Sequence, residues 1–317
     1  IHDRVTSVEV VLDGVRGKEY RSIWNAAFSQ EGGHFAYFAT PSAKGVPAVV
    51  LDGREFPVDE DIGSSLALSP NGEHFAFVGV SRYRSRPSSY VVKDGGTGPS
   101  YESVSEPTIS WDGRRVGYVA IRGYRRVVVI DGVEHREYQS ATRPIFDLSG
   151  QHVCYTVGDL GKTYLFRDGE YSEVDAGATG LQFSRDGAHL AYVAPRARQQ
   201  VLVVDGKDRA MSAEILADTS LFSPDGNHTA YWAAHGDESW HLVVDGKAVW
   251  EQTEPPSPLH FTPDGRHVIH WQTRDSRARV IVDSAPGNEY DAIGMPRMSV
   301  DGRVAHVARR GNPWMVV

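Results

Sequence analysis

Short apolar runs separated by polar turns recur along the chain at a near-constant spacing. In the clearest copy, Phe222 ends an apolar approach and Ser223-Pro224-Asp225-Gly226 turns the chain. Thr229 to Ala233 then alternates small and aromatic residues, Trp240 to Val244 forms a third run, Asp245-Gly246 a second turn, and Val249-Trp250 lie on a fourth run. Runs this short, bounded by turn residues, predict strands rather than helices. Asp-Gly between two apolar segments is a strong hairpin signal. The unit therefore reads as four strands, a to d. No long segment carries a helical period, and Met211 to Ala217 is at most one helical turn.

The first turn recurs at Gly32, Gly72, Gly113, Gly150, Gly187, Gly226, Gly265 and Gly302, a period of 37 to 41 residues. The second recurs at Asp52-Gly53, Asp205-Gly206 and Asp245-Gly246, among others. A period near 40 with four strands per unit predicts a β-propeller, each repeat forming one blade. Complete units run from about Ile23 to Ile293; the chain ends on strands a to c (Arg297 to Val317) and begins with a c–d segment, Val8 to Tyr20. Unpaired edges are a liability that closure removes. The expectation is thus all-β: an eight-bladed propeller of four-stranded blades, one domain over 1–317, closed by the N-terminal segment in the last blade. Seven blades plus an appended hairpin is the alternative, and one c-like strand is surplus at the termini. Glu-Tyr recurs on strand d at Tyr20, Tyr138 and Tyr290, which suggests packing between blades.

Composition changes this picture little: 40% of residues are hydrophobic and 23% charged, an ordinary globular balance. No apolar run is long enough for a membrane-spanning helix. The single Cys154 cannot form an intrachain disulfide and falls in an apolar strand, so it is read as structural. The chain starts at Ile1 without an initiator Met, which suggests removal of an upstream segment.

The copies Phe222 to Tyr231, Phe183 to Gly187 with Ala191-Tyr192, and Phe261 to Gly265 resemble WD40-like (PD40) repeats. Such repeats form the propellers of the periplasmic Tol-system protein and of dipeptidyl- and prolyl-oligopeptidases. The resemblance implies a propeller that binds proteins or ligands, in a bacterial periplasmic or secreted setting. It implies no hydrolase domain, since no Gly-x-Ser-x-Gly elbow is present.

Candidate chemistry is then sought in departures from the repeat. His34, His74, His152, His189, His228 and His267 share one repeat position, two after the turn glycine, and so fall on different blades. They cannot converge on one metal and are read as capping the a–b hairpin. His270 and His306 stand where other repeats carry Tyr37, Phe77, Tyr118, Tyr155, Tyr192 and Tyr231; a neutral imidazole filling the slot is the plain reading and a ligand or proton-handling pair the sharper one. The Asp-Gly carboxylates are read as turn formers bonding local amides.

Charge is segregated. The eight b–c loop windows total 54 residues and hold 15 of the 33 Lys+Arg but only 4 of the 41 Asp+Glu, in a chain of net charge −8. Thirteen of these cations are Arg, a residue suited to bidentate and stacked contacts. The candidate ligand-binding residues are Arg82, Tyr83, Arg84, Arg86, Arg122, Tyr124, Arg125, Arg126, Arg196, Arg198, Arg274 and Arg277. The d–a loops are acidic instead, with Asp59-Glu60-Asp61, Glu102, Glu106, Asp175 and Glu254, so mutual neutralisation is the competing account. Asp59-Glu60-Asp61 is read as a solvated loop rather than a cation site. A pI near 5.9 argues against nucleic acid.

Two function classes follow. One is a monomeric, non-catalytic platform without metal or cofactor, whose b–c loops bind an acidic protein surface or an anionic glycan. The other is a polyanion- or glycan-processing lyase or hydrolase with paired carboxylates at the channel mouth. Oligogalacturonate lyases offer an analogy for it, but their histidine metal cluster has no counterpart here.

Overall fold

Antiparallel strands account for all the regular structure described. The computed structural model describes residues 7–29, 32–41, 45–58, 61–81, 88–216, 221–235, 239–299 and 303–317. They form a succession of small antiparallel sheets, most of them meanders in chain order. Residues 8–57 make sheet 1, 61–97 sheet 2, 103–138 sheet 3, 140–174 sheet 4, 179–212 sheet 5, 214–252 sheet 6 and 260–286 sheet 7. Ala292–Ile293, Val307–Arg309 and Trp314–Val316 form a last three-stranded sheet. The chain divides into two compact units, residues 1–173 and 174–317. Strand a is often shorter than its sequence pattern suggests, as in Thr108–Ile109 and His260–Phe261. The helical turn allowed at Met211 is absent: the chain is extended through Lys207–Ser212 and again at Glu214–Leu216. Strand pairing to both neighbours outweighs the weak local helical preference there.

The Asp-Gly hairpins form as the sequence indicates. The Asp residues at 52, 94, 131, 168, 205 and 245 have φ of +49 to +52°, followed by glycines also at positive φ. Positive φ at both central positions defines the type I′ turn, whose twist matches the flanking strands. These carboxylates do more than form their own turns. In each of seven repeats, with Asp283 at the same position in sheet 7, one oxygen accepts the N–H of the residue that opens strand b, such as Phe35 or Leu190, at 2.8–3.0 Å. In six of them the other accepts the Nδ1–H of the repeat histidine at 2.6–2.8 Å: His34–Asp52, His74–Asp94, His152–Asp168, His189–Asp205, His228–Asp245 and His267–Asp283. Arg115 replaces histidine in sheet 3 and meets Asp131 the same way, Nε to Oδ2 at 3.0 Å. Each bracket ties the a–b turn to the c–d turn, placing both on one edge of the sheet.

The turn glycines are required by packing as well as by φ. Gly113 has φ +70°, and a Cβ there would lie 2.1 Å from the His74 ring of the preceding repeat. Gly113→Ala combines a left-handed L-residue with that overlap. A loss of about 1–3 kcal/mol in urea unfolding is expected, whereas Gly132→Ala, with open space around its Cβ, should show the backbone cost alone.

Within each unit the core lies between successive sheets. In Val127-Val128-Val129-Ile130, residues 127 and 129 pack with Ala76, Val78 and Val91 of sheet 2, while 128 and 130 pack with Val153, Tyr155 and Val157 of sheet 4. A strand buried on both faces reads as a continuous apolar run, which is why strand c lacks polar alternation. Sheets 5, 6 and 7 repeat the arrangement around Tyr231 and Trp232. The strand-d tyrosines link repeats through their hydroxyls: Tyr20 donates to Glu55, Tyr101 to Glu134, and Tyr138 meets the Tyr171 hydroxyl.

Candidate functional site

Opposite the bracketed edge, the b–c turns carry the arginines. In sheet 3, Val116–Arg122 and Arg125–Ile130 are joined by a turn in which Arg122 pairs with Arg125 and Gly123 takes φ +58°. Tyr124 stands at the tip, 97% exposed. The guanidinium of Arg122 binds Glu134 at 2.7 Å and Glu137 at 2.9 Å, and lies over the Tyr101 ring. These two carboxylates hold Arg122 firmly charged, and Arg122 in turn holds Glu134 below the usual carboxylate range. Arg125 reaches Asp159 in sheet 4 at 3.2 Å and also donates to the Glu137 carbonyl. Asp159, which also receives Arg136, is pushed below the ordinary range chiefly by its bond from Arg125.

In sheet 5, Arg196 bridges Asp175 at 2.7 Å and Asp208. In sheet 7, Arg274 faces Glu254 at 3.4 Å and Arg277 binds Asp291 at 2.6 Å. A cavity of about 300 Å³ lies there between Gln272, Arg274, Arg277, Arg279 and Glu289. Arg126 and Arg198 have no side-chain ion pair among the described residues. Arg82, Tyr83, Arg84 and Arg86 lie outside the described residues, as do Asp59 and Glu60. The ion-paired arginines thus fall into local groups, most with acidic partners from strand d or the d–a connection; Arg125 instead reaches Asp159, at the end of strand b in the next sheet. Sequence reading anticipated Asp175 and Glu254 but not Asp291 of the last d–a connection or the strand-d acids Glu134, Glu137 and Asp208, which lie among other charged residues and look like ordinary solvent-facing strand positions.

A larger cavity that sequence reading missed lies on the same turn edge, between strand d of sheet 3 and sheet 4. It measures about 570 Å³ and is lined by Arg136, Tyr138, Asp159, Leu160, Lys162, Tyr164 and Tyr171. The one readable signal was a departure from the repeat: Tyr171 occupies the position where Glu55 and Glu134 receive a tyrosine hydroxyl.

The remaining candidates have structural surroundings. His270 is fully buried against the edges of Trp232 and Trp250, and neither ring nitrogen has a hydrogen-bond partner among the described residues. Burial, helped by nearby Arg279, pushes it down to about 4. His306 packs on Tyr290 and is also held below its ordinary value by burial. Burial raises the Cys154 thiol, which stays protonated and unreactive. Among the described residues no group of three or more His, Cys, Asp or Glu is placed to hold a metal ion.

Solved structures are similar to this chain over much of its length. A crystal structure of a eukaryotic initiation factor is similar over 90% of this chain and 83% of that one, at 13% identity and a TM-score of 0.55. A prolyl endopeptidase is similar over 92% of this chain but only 55% of its own, at 14% identity and a TM-score of 0.46. The β-propeller domain of the Trilobed protease from Pyrococcus furiosus is similar over 93% of this chain and 96% of its own, at 11% identity and a TM-score of 0.41. No protein-family model and no curated protein matches the chain. The likeness to the initiation factor, together with the succession of antiparallel meanders, gives a β-propeller fold. At such identities a shared fold carries no activity with it.

Proposed function

We propose that this propeller is a non-catalytic binding platform that takes an acidic protein surface or an anionic glycan on its b–c turn edge. The observation that carries the reading is the prepositioning of guanidinium groups around an exposed aromatic at Arg122–Arg126. Arg122 and Arg125 are each held by carboxylates on one side. A guanidinium has five N–H donors, and these contacts use only some of them. Tyr124 and Arg126 stand beside them without such engagement. A catalytic reading finds less support: each described carboxylate with a shifted pKa is shifted downward, whereas a general acid needs an upward shift.

The same proposal includes ring closure. The N-terminal hairpin exposes Val8, Val11, Leu12 and Val15, and the last strand exposes Trp314, Met315, Val316 and Val317. Two exposed apolar strands at the two ends of a repeat protein are best accounted for by mutual pairing in an eighth blade of a single 1–317 ring of PD40-type repeats.

The binding edge is tested by reversing Arg126 and Arg198 to Glu, two positions outside the ion-pair groups. Polyglutamate, measured by fluorescence anisotropy at low salt, is expected to bind the wild type and to lose about tenfold in affinity to the double variant. Melting should be unchanged. Equal affinity for both proteins removes the basis for this edge as the binding face.

A further inference from the structure

The tyrosine-lined cavity between sheets 3 and 4 narrows the partner class, resting on the reading of the b–c edge given above. Val153–Asp159 and Lys162–Arg167 are joined by a Leu160-Gly161 turn with φ of +50° and +77°. The first position of such a turn suits Asn, Asp or Gly. Here it is leucine, held in a disfavoured backbone conformation with its side chain 85% exposed. Beside it Tyr138, Tyr164 and Tyr171 line the cavity, with Arg136 and Lys162 at the rim. The carboxylate and two of the three tyrosine hydroxyls are already engaged: Tyr138 and Tyr171 share a 2.5 Å hydroxyl contact, and Asp159 holds Arg125 and Arg136. Arg136 and Lys162, the latter 2.7 Å from Glu173, keep donors beyond these single contacts.

A saccharide needs acceptors as well as donors for its hydroxyls, and most acceptors lining this groove are committed. What the groove offers is ring surface, one solvent-held leucine, and cations whose side chains are largely exposed. We infer that the groove of Tyr138, Leu160, Tyr164 and Tyr171 receives an aromatic or other apolar side chain of a partner protein, flanked by Asp or Glu that meet Arg136 and Lys162. Tyrosine and arginine around a partly desolvated pocket are the composition of protein-interface anchor sites.

The test uses three probes on the full chain: labelled peptide Glu-Asp-Trp-Glu-Asp, its Glu-Asp-Gly-Glu-Asp counterpart, and hexagalacturonate. The tryptophan peptide is expected to bind at least tenfold more tightly than the glycine peptide. Leu160→Asn, compatible with the turn, should remove about tenfold of that preference without lowering the melting temperature. Tyr171→Glu restores the carboxylate that Tyr20 and Tyr101 meet in their repeats, and should abolish the preference while keeping the Tyr138 contact. Equal, salt-sensitive binding of both peptides overturns the groove but leaves the basic edge standing. Preferential binding of hexagalacturonate, or binding of neither peptide, also overturns it.

Discussion

Acidification from pH 7 to pH 4.5 is expected to destabilise the protein, and His270→Phe is expected to remove much of that loss. His270 stays neutral in the fold down to about pH 4 because burial, with Arg279 nearby, opposes its charge. In the unfolded chain it titrates near 6.5. Below that value the unfolded state takes up a proton that the native state refuses. The stability is therefore complete above about pH 6.5 and declines as pH falls towards 4. The full shift corresponds to about 3 kcal/mol. His228 works in the opposite sense: its bond to Asp245 raises its pKa, so it adds stability below pH 6.5 that fades as pH rises. That pair is half-exposed, and its contribution is correspondingly small. Phenylalanine already fills the equivalent slot at Phe77, which is fully buried. Urea midpoints at pH 4.5 and 7 for the wild type and the variant provide the check. Equal pH slopes would place the acid sensitivity elsewhere.

Removing residues 1–18 is the second large effect, and it examines ring closure. The deletion keeps Tyr20 and its bond to Glu55 and takes away Val8–Leu12, which pairs, among the described residues, with the start of Val15–Phe28, together with the first residues of that strand. As a free surface hairpin it should matter within about 0.5 kcal/mol. As half of a closing blade its loss bares a strand edge and apolar surface, and the melting temperature should fall by roughly 10 °C or more. A deletion protein that melts with the full chain would mean that the ring is not closed by this segment.

The repeat was legible because a strand–turn–strand unit is a local event. Asp245-Gly246 specifies its own dihedral angles, and the run Trp240 to Val244 falls within the observed strand Ser239–Val244. The position of the six histidines was legible for the same reason, as was their structural role. Their partners were not. The bracket from His189 to Asp205 spans two strands, and the carboxylate also accepts a strand-b amide rather than serving only its own turn. Packing of His74 over Gly113 crosses from one repeat to the next, which no local pattern reports. The site was legible only as composition. Counting charges located the arginine-rich turns, but pairing of Arg122 with Glu134 and Glu137 depends on two residues of strand d facing the same side as the turn. The groove depends on Tyr171 standing in a carboxylate's place, a single departure that becomes informative only when the Tyr20–Glu55 and Tyr101–Glu134 contacts are seen beside it.

The binding edge is tested most directly by amide hydrogen exchange with and without polyglutamate at low salt. Protection is predicted at the b–c turns, above all at 121–126 and 158–162, with the Asp-Gly turns of the opposite edge unchanged. Protection confined to the Asp-Gly edge, or none at the arginine-rich turns despite measurable binding, would contradict the assignment of the b–c edge as the binding face.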